Sequence, residues 1–143
     1  MELTHAKPVP AERLKEYAAI AGQEEMEELY RLGEDLRGIK VQHINSARHG
    51  GGVAEMLHSL VPLERSLGLD ATWEVIQARQ EFFIYTKTLH NFLQGKPNIP
   101  DLLGTKIYWD ANRENASLLR NEADIVFVHD PQPAGLIEFI PPE

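Results

Sequence analysis

The residues able to do chemistry gather at three places along the chain. The first is Val41-Gln-His-Ile-Asn-Ser-Ala-Arg-His-Gly-Gly-Gly-Val-Ala-Glu55, where a short apolar stretch (Ile39, Val41, Ile44) gives way to polar side chains and three consecutive glycines, Gly50, Gly51 and Gly52. Glycine takes φ > 0 without penalty and has no side chain to hold a ligand away from the backbone. A helix that starts directly after such a turn offers free N–H groups and the positive end of its dipole to phosphate or sugar oxygens. Judged alone, the same turn also suits a plainer purpose, packing a helix onto a sheet. The second place is Gln77-Ala-Arg-Gln-Glu81 and the third is His129-Asp-Pro-Gln132. Hydroxyl-rich ligands need many donors and acceptors on a rigid scaffold. Asn45, Ser46, Arg48, His49, Arg79, Glu81, His129 and Asp130 would supply them if one rim brought them together.

Other chemistries fit less well. A nicotinamide-cofactor site wants G-x-G-x-x-G and an acidic residue at the tip of the second strand. Here the glycines are contiguous and that tip reads Gln77-Ala-Arg79. The chain has six histidines, of which His43, His49 and His129 could lie near one another. No H-E-x-x-H or equivalent spacing accompanies them, so neither a metal nor any other cofactor is expected. His58 and His90 fall on helical stretches and read as partly buried side chains. No nucleophile elbow or Ser/His/Asp arrangement can be argued.

The elements that must position these residues follow from hydrophobic periodicity. Residues 1–10, with two prolines and little apolar content, read as an extended arm. Leu14, Tyr17, Ala18 and Ala21 predict a first helix ending at Gly22; Met26, Leu29, Tyr30 and Leu36 predict a second over about 23–36, with a solvated acidic face. A strand over 39–45 then leads through the glycines into a helix over 53–67, whose stripe is Val53, Met56, Leu57, Leu60, Leu63 and Leu67 and which Pro62 should kink or split. Residues 70–77 form a second strand, and 80–93 a helix with Phe82, Phe83, Thr86, Leu89 and Phe92 as candidate core contacts. After a loop at 95–100, a helix spans 102–119, open to a break near Gly104. Ile125-Val-Phe-Val128 is a continuous apolar run, as expected of a strand buried on both faces, and Pro133 could start a last helix through Ile140.

Strands alternating with helices mean an α/β fold, a Rossmann-like parallel sheet with right-handed crossovers, preceded by two N-terminal helices. The division expected is an arm and helical extension over 1–38 and a Rossmann-like domain over 39–143. In open parallel sheets ligands bind outside the carboxyl ends of the strands, and all three polar clusters stand at such ends. The second and last strands should flank the first, which leaves the outer edge of residues 125–128 unpaired. Self-association through that edge, or by exchange of the C-terminal helix, is the expected consequence.

With 143 residues, the chain can bury one domain's core. A formal charge of −8 argues against nucleic-acid or anionic-membrane binding. No cysteine is present, which excludes disulfides and thiolate metal sites and fits a cytoplasmic protein. No stretch nears the roughly 18 apolar residues of a membrane span.

Several stretches in one order carry a family resemblance: Val41-Gln-His-Ile-Asn-Ser46, Gly50-Gly-Gly-Val-Ala-Glu55, Leu60-Val-Pro62, Gly68-Leu-Asp-Ala71, Glu81-Phe-Phe83, His90-Asn-Phe-Leu-Gln-Gly95 and His129-Asp-Pro-Gln-Pro-Ala134. From about Leu14 to Ile140 the chain resembles the trehalose-forming glycosyltransferases. These are retaining GT-B enzymes of glycosyltransferase family 4, the trehalose glycosyltransferring synthases and the related trehalose phosphorylases. The resemblance implies the acceptor-side, N-terminal domain of an enzyme that moves glucose from a nucleotide-diphosphate sugar to glucose. It places Gly50, Gly51 and Gly52 at the donor's phosphates or transferred sugar and His129 beside that sugar. Asn45, Glu81 and Asp130 are expected as further substrate contacts from their place at the same strand ends. Arg48, His49 and Arg79 depart from the family's pattern. The residues that grip the donor in the family's second domain have no counterpart among these 143, so the chain is expected to be inactive alone. The alternative is a non-catalytic sugar-binding module or a subunit completed by another chain.

Overall fold

The architecture is organised around one central strand, flanked on both sides by parallel neighbours. A computed structural model describes residues 2–4, 7–97, 99–120 and 122–140. In chain order it contains β1 (Glu2–Thr4), α1 (Ala11–Ala21), α2 (Gln23–Asp35), β2 (Lys40–Asn45), α3 (Gly52–Ser66), β3 (Asp70–Val75), α4 (Gln80–Leu93), α5 (Leu102–Ala116), β4 (Ile125–Val128) and a 3₁₀ turn (Pro133–Glu138). The sheet order is β1-β3-β2-β4. β3 and β4 both run parallel to β2, with Asn45 opposite Val75 and Ile44 opposite Val128. Three strands thus end level with one another, and the fold is α/β and Rossmann-like, with the expected order of its parallel strands.

Alternation along β2 divides the interior into two cores. Val41, Ala71, Trp73 and Val75 face α3 and pack on Ala54, Leu57 and Val61. Ile44 and Ile76 face the other way, against Phe82 and Tyr85 of α4, Tyr108 of α5 and Leu136 of the 3₁₀ turn. The N-terminal helices pack on each other and dock through Met26, which is buried, and Gly33, where a Cβ would run into the backbone of Leu67.

Several expectations are corrected. The N-terminal arm, expected only to be extended, also joins the sheet: Glu2–Thr4 lies antiparallel to β3, with Glu2 opposite Val75. A strand added at an edge is held by backbone hydrogen bonds and leaves little pattern in its side chains. β4 is not buried on both faces. Ile125 is 44% and Phe127 46% exposed, because α3 packs over β3 and β2 while β4 is the outer strand. α3 runs unbroken past Pro62. Its fully buried residues are Ala54, Leu57 and Val61, with Val53 and Leu60 packed beside them and Met56 exposed. In α4, Tyr85 turns inward where Phe83 and Phe92 do not. α5 is continuous through Gly104, a glycine that lets the helix lie against the Tyr85 ring and whose N–H is capped by Asp101 at 2.7 Å. The last helix is the short 3₁₀ turn. Among the described residues, no helix is long and apolar enough to cross a membrane.

Candidate functional site

Parallel register puts the loops after β2, β3 and β4 on one rim, and a different set of side chains holds each. The loop after β2 is pinned from its own neighbours. Asn45 donates from Nδ2 to the Ala47 carbonyl at 2.7 Å and accepts the Trp73 indole N–H on Oδ1 at 2.9 Å. Asn45 is buried, so its amide braces the loop from beneath. His58, two turns into α3, reaches back so that Nε2 meets the Arg48 carbonyl at 3.0 Å; its ring stacks on His49 and stands edge-on to Trp73.

This brace delivers the chain to Gly50 (φ 75°) and Gly51 (φ 119°), both left-handed, with Gly52 opening α3. A Cβ on any of the three would meet nothing within 4 Å, so the space beside them is open. No side chain caps α3. Its first N–H groups lack the Ser, Thr, Asp or Asn oxygen that ordinarily satisfies them, and they face that open space as donors.

α5 grips the other two loops beyond the points where they leave the sheet. Asn115 accepts the Gln77 N–H at 2.9 Å and donates to the Gln77 carbonyl at 2.8 Å, gripping the backbone as a neighbouring strand would. One turn earlier, Asn112 donates to the Gln132 carbonyl at 3.2 Å and the Tyr108 hydroxyl to the Pro131 carbonyl at 2.9 Å. Burial pushes the Tyr108 hydroxyl above its ordinary pKa, which keeps it a donor. Gly135 packs where a Cβ would press on Tyr108 and Asn112. A groove lined by Gln77, Arg79, Phe82, Asp110 and Glu114 runs between the loop after β3 and α5. Glu81, in the first turn of α4, is exposed at this end of the molecule.

The loop after β4 carries His129 and Asp130. The His129 N–H donates to the Ile44 carbonyl at 2.8 Å, extending the β2–β4 ladder by one bond. Asp130 then takes φ 71°, the left-handed region that a non-glycine residue occupies only when its surroundings hold it there. His129 Nε2 lies 3.0 Å from Nδ1 of His43, whose own Nε2 lies 2.9 Å from the Glu64 carboxylate. His43 is 2% exposed, with its ring stacked on Phe127 and His129. Burial, and after it the neighbouring His43, lowers the pKa of His129; Asp130 and Glu64 act the other way.

Of the three histidines expected near one another, His43 and His129 are joined, while His49 pairs with His58. Sequence reasoning missed Glu64. It follows the buried Leu57 and Val61 at helical steps of four and three, and a carboxylate in that series was the available signal. Among the described residues there is no group of three or more His, Cys, Asp or Glu side chains able to hold a metal ion.

Together these features define a Rossmann-like α/β domain with its candidate site on the carboxyl rim of three parallel strands. The family profile described as "Trehalose synthase, N-terminal domain" matches residues 43–143. The chain is 48% identical over 129 residues to the trehalose synthase of Pyrococcus horikoshii and 45% identical to that of Rubrobacter xylanophilus. It is 33% identical over 143 residues to the trehalose phosphorylase of Grifola frondosa. These matches take in 89%, 88% and 89% of this chain, but 31% of each synthase and 19% of the phosphorylase. The chain belongs to the trehalose synthase N-terminal domain family.

Proposed function

We propose that the rim is the acceptor-side half of a GT-B glycosyltransferase site, taking glucose and the glucosyl end of a nucleotide-diphosphate sugar and forming trehalose with retention. The observation that carries this is the pairing of an uncapped, glycine-bounded start of α3 with His129 at the level ends of β2 and β4. As charge builds on a departing diphosphate, backbone donors fixed in advance stabilise it without reorganising. His129 and Asp130 meet sugar hydroxyls, with Glu81 at the outer margin, and Asn45 shapes the loop from which the glycines project. Because the chain matches under a third of each synthase, turnover is assigned to the assembled two-domain enzyme and binding to this part. The protein works in the cytoplasm, on soluble sugars.

Titrating the 143-residue chain with glucose, followed by amide NMR, tests this. Shifts should cluster at residues 46–53 and 129–132. Gly51→Val should abolish them, because a β-branched residue resists φ near 119° and blocks close approach. A melting curve recorded alongside separates lost binding from lost fold. Shifts confined to other surfaces, or a Gly51→Val chain that binds and melts like the parent, would overturn the proposal. A non-catalytic sugar-binding module is favoured only if the assembled protein binds glucose and nucleotide-glucose yet yields no trehalose.

A further inference from the structure

With both rings neutral, hydrogen-bond chemistry gives the line Glu64–His43–His129 one direction. An ionised carboxylate can only accept, so the proton between Glu64 and His43 sits on His43 Nε2. A neutral His43 then has a bare Nδ1, and that nitrogen faces His129 Nε2 at 3.0 Å. Two bare nitrogens cannot bond, so His129 carries its proton on Nε2 and its lone pair on Nδ1. That second nitrogen has no hydrogen-bond partner among the described residues, and His129 is partly exposed at the rim. The other two members are interior: His43 is 2% exposed and the Glu64 side chain 16%.

We propose that Glu64 and His43 are positioning residues that hold His129 as a hydrogen-bond acceptor through Nδ1, so that the group it receives is a hydroxyl and not an anionic oxygen. The assignment deepens the sugar-binding proposal and rests on it only for the identity of the hydroxyl. It also divides the rim by ligand chemistry. The start of α3, made of donors, takes the anionic or oxygen-acceptor part of a ligand, and His129 takes an O–H donor. The stack of His43 on Phe127, with ring planes 11° apart, keeps the relay in one plane and limits rotation of the middle ring.

Ring-nitrogen NMR on the ligand-free 143-residue chain reads this directly. At neutral pH, His43 and His129 should both be protonated on Nε2 and bare on Nδ1. The charged or titratable groups facing His129 are His43 from β2, Glu64 from α3 and Asp130 from its own loop. Glu64→Gln removes a charge that favours protonated His129 and should move its titration lower. His43→Gln takes away the ring that passes the proton order on and should let the His129 proton redistribute between Nε2 and Nδ1. A relay that merely fills space moves neither. If His43→Gln fails to fold, Glu64→Gln, which keeps size and shape, still decides the matter. Glucose added at neutral pH should shift the His129 ring signals and inorganic phosphate should not. A proton found on His129 Nδ1 in the parent chain, an unmoved titration in Glu64→Gln, or phosphate acting at the ring would each overturn the relay. Ring signals as stated with no response to glucose would sustain the relay and refute the sugar proposal.

Discussion

Two pairs of histidine rings lie within this site at nearly the same separation and tilt. His43 and His129 have centroids 5.2 Å apart and planes at 20°; His49 and His58 are 5.4 Å apart at 16°. What distinguishes them is what the remaining ring nitrogens meet. His43 ends on a carboxylate in the interior, whereas His58 ends on the backbone carbonyl of Arg48 near the surface. A carboxylate accepts from either edge and carries charge, so it orders the protons along the whole line. A backbone carbonyl likewise places the proton on His58 Nε2, but it carries no full charge, and what joins His58 to His49 is ring contact. Stacking therefore says little about role, and the terminal acceptor says most.

The largest expected consequence follows from breaking the interior pair. His43→Leu leaves the Glu64 carboxylate without its partner in a mostly buried position, and stranding one member of such a pair costs about 3 kcal/mol. Urea unfolding should show a loss of that order. His58→Ala removes one hydrogen bond to the backbone and should cost only about 1 kcal/mol. Its signature is local: amide exchange should quicken across residues 46–51 and stay unchanged in β2. Equal losses in the two variants would erase the distinction between relay and brace.

The smallest effect is in pH dependence. Because the folded chain holds His129 below its ordinary value of 6.5, the unfolded chain binds more protons in the window just beneath that value. Stability is then fully present above the window and falls as the pH drops through it. His129→Gln should flatten that part of the stability–pH curve. A slope unchanged in His129→Gln would place the titrating group elsewhere.

Much of this architecture is legible in the sequence because it depends on local period. Residues 80–93 are bounded by polar and glycine-rich stretches, and α4 occupies that span. The run Ile125–Val128 is a strand as read, yet an apolar run looks the same whether one face is covered or two, and only its place at the edge exposes Phe127. β1 was illegible because its pairing is made by backbone. At the site, the glycine turn and the three polar strand ends could be read from residue types. The relay could not, since it joins positions 21 and 86 residues apart through a side chain, Glu64, that alone looks like any helical charge.

Asn112 and Asn115 are neighbours on one face of α5, yet one grips the loop after β4 and the other the loop after β3. In mechanical terms, the rim has two jaws. The glycine loop is built into β2, β3 and α3 and stays with the sheet. The other two loops are each tied twice, to β2 at their roots and to one helix beyond, as to a yoke. A small roll of α5 would shift the outer parts of both, at Gln77 and at Pro131 and Gln132, in step, while Ile76 and His129 stay with β2.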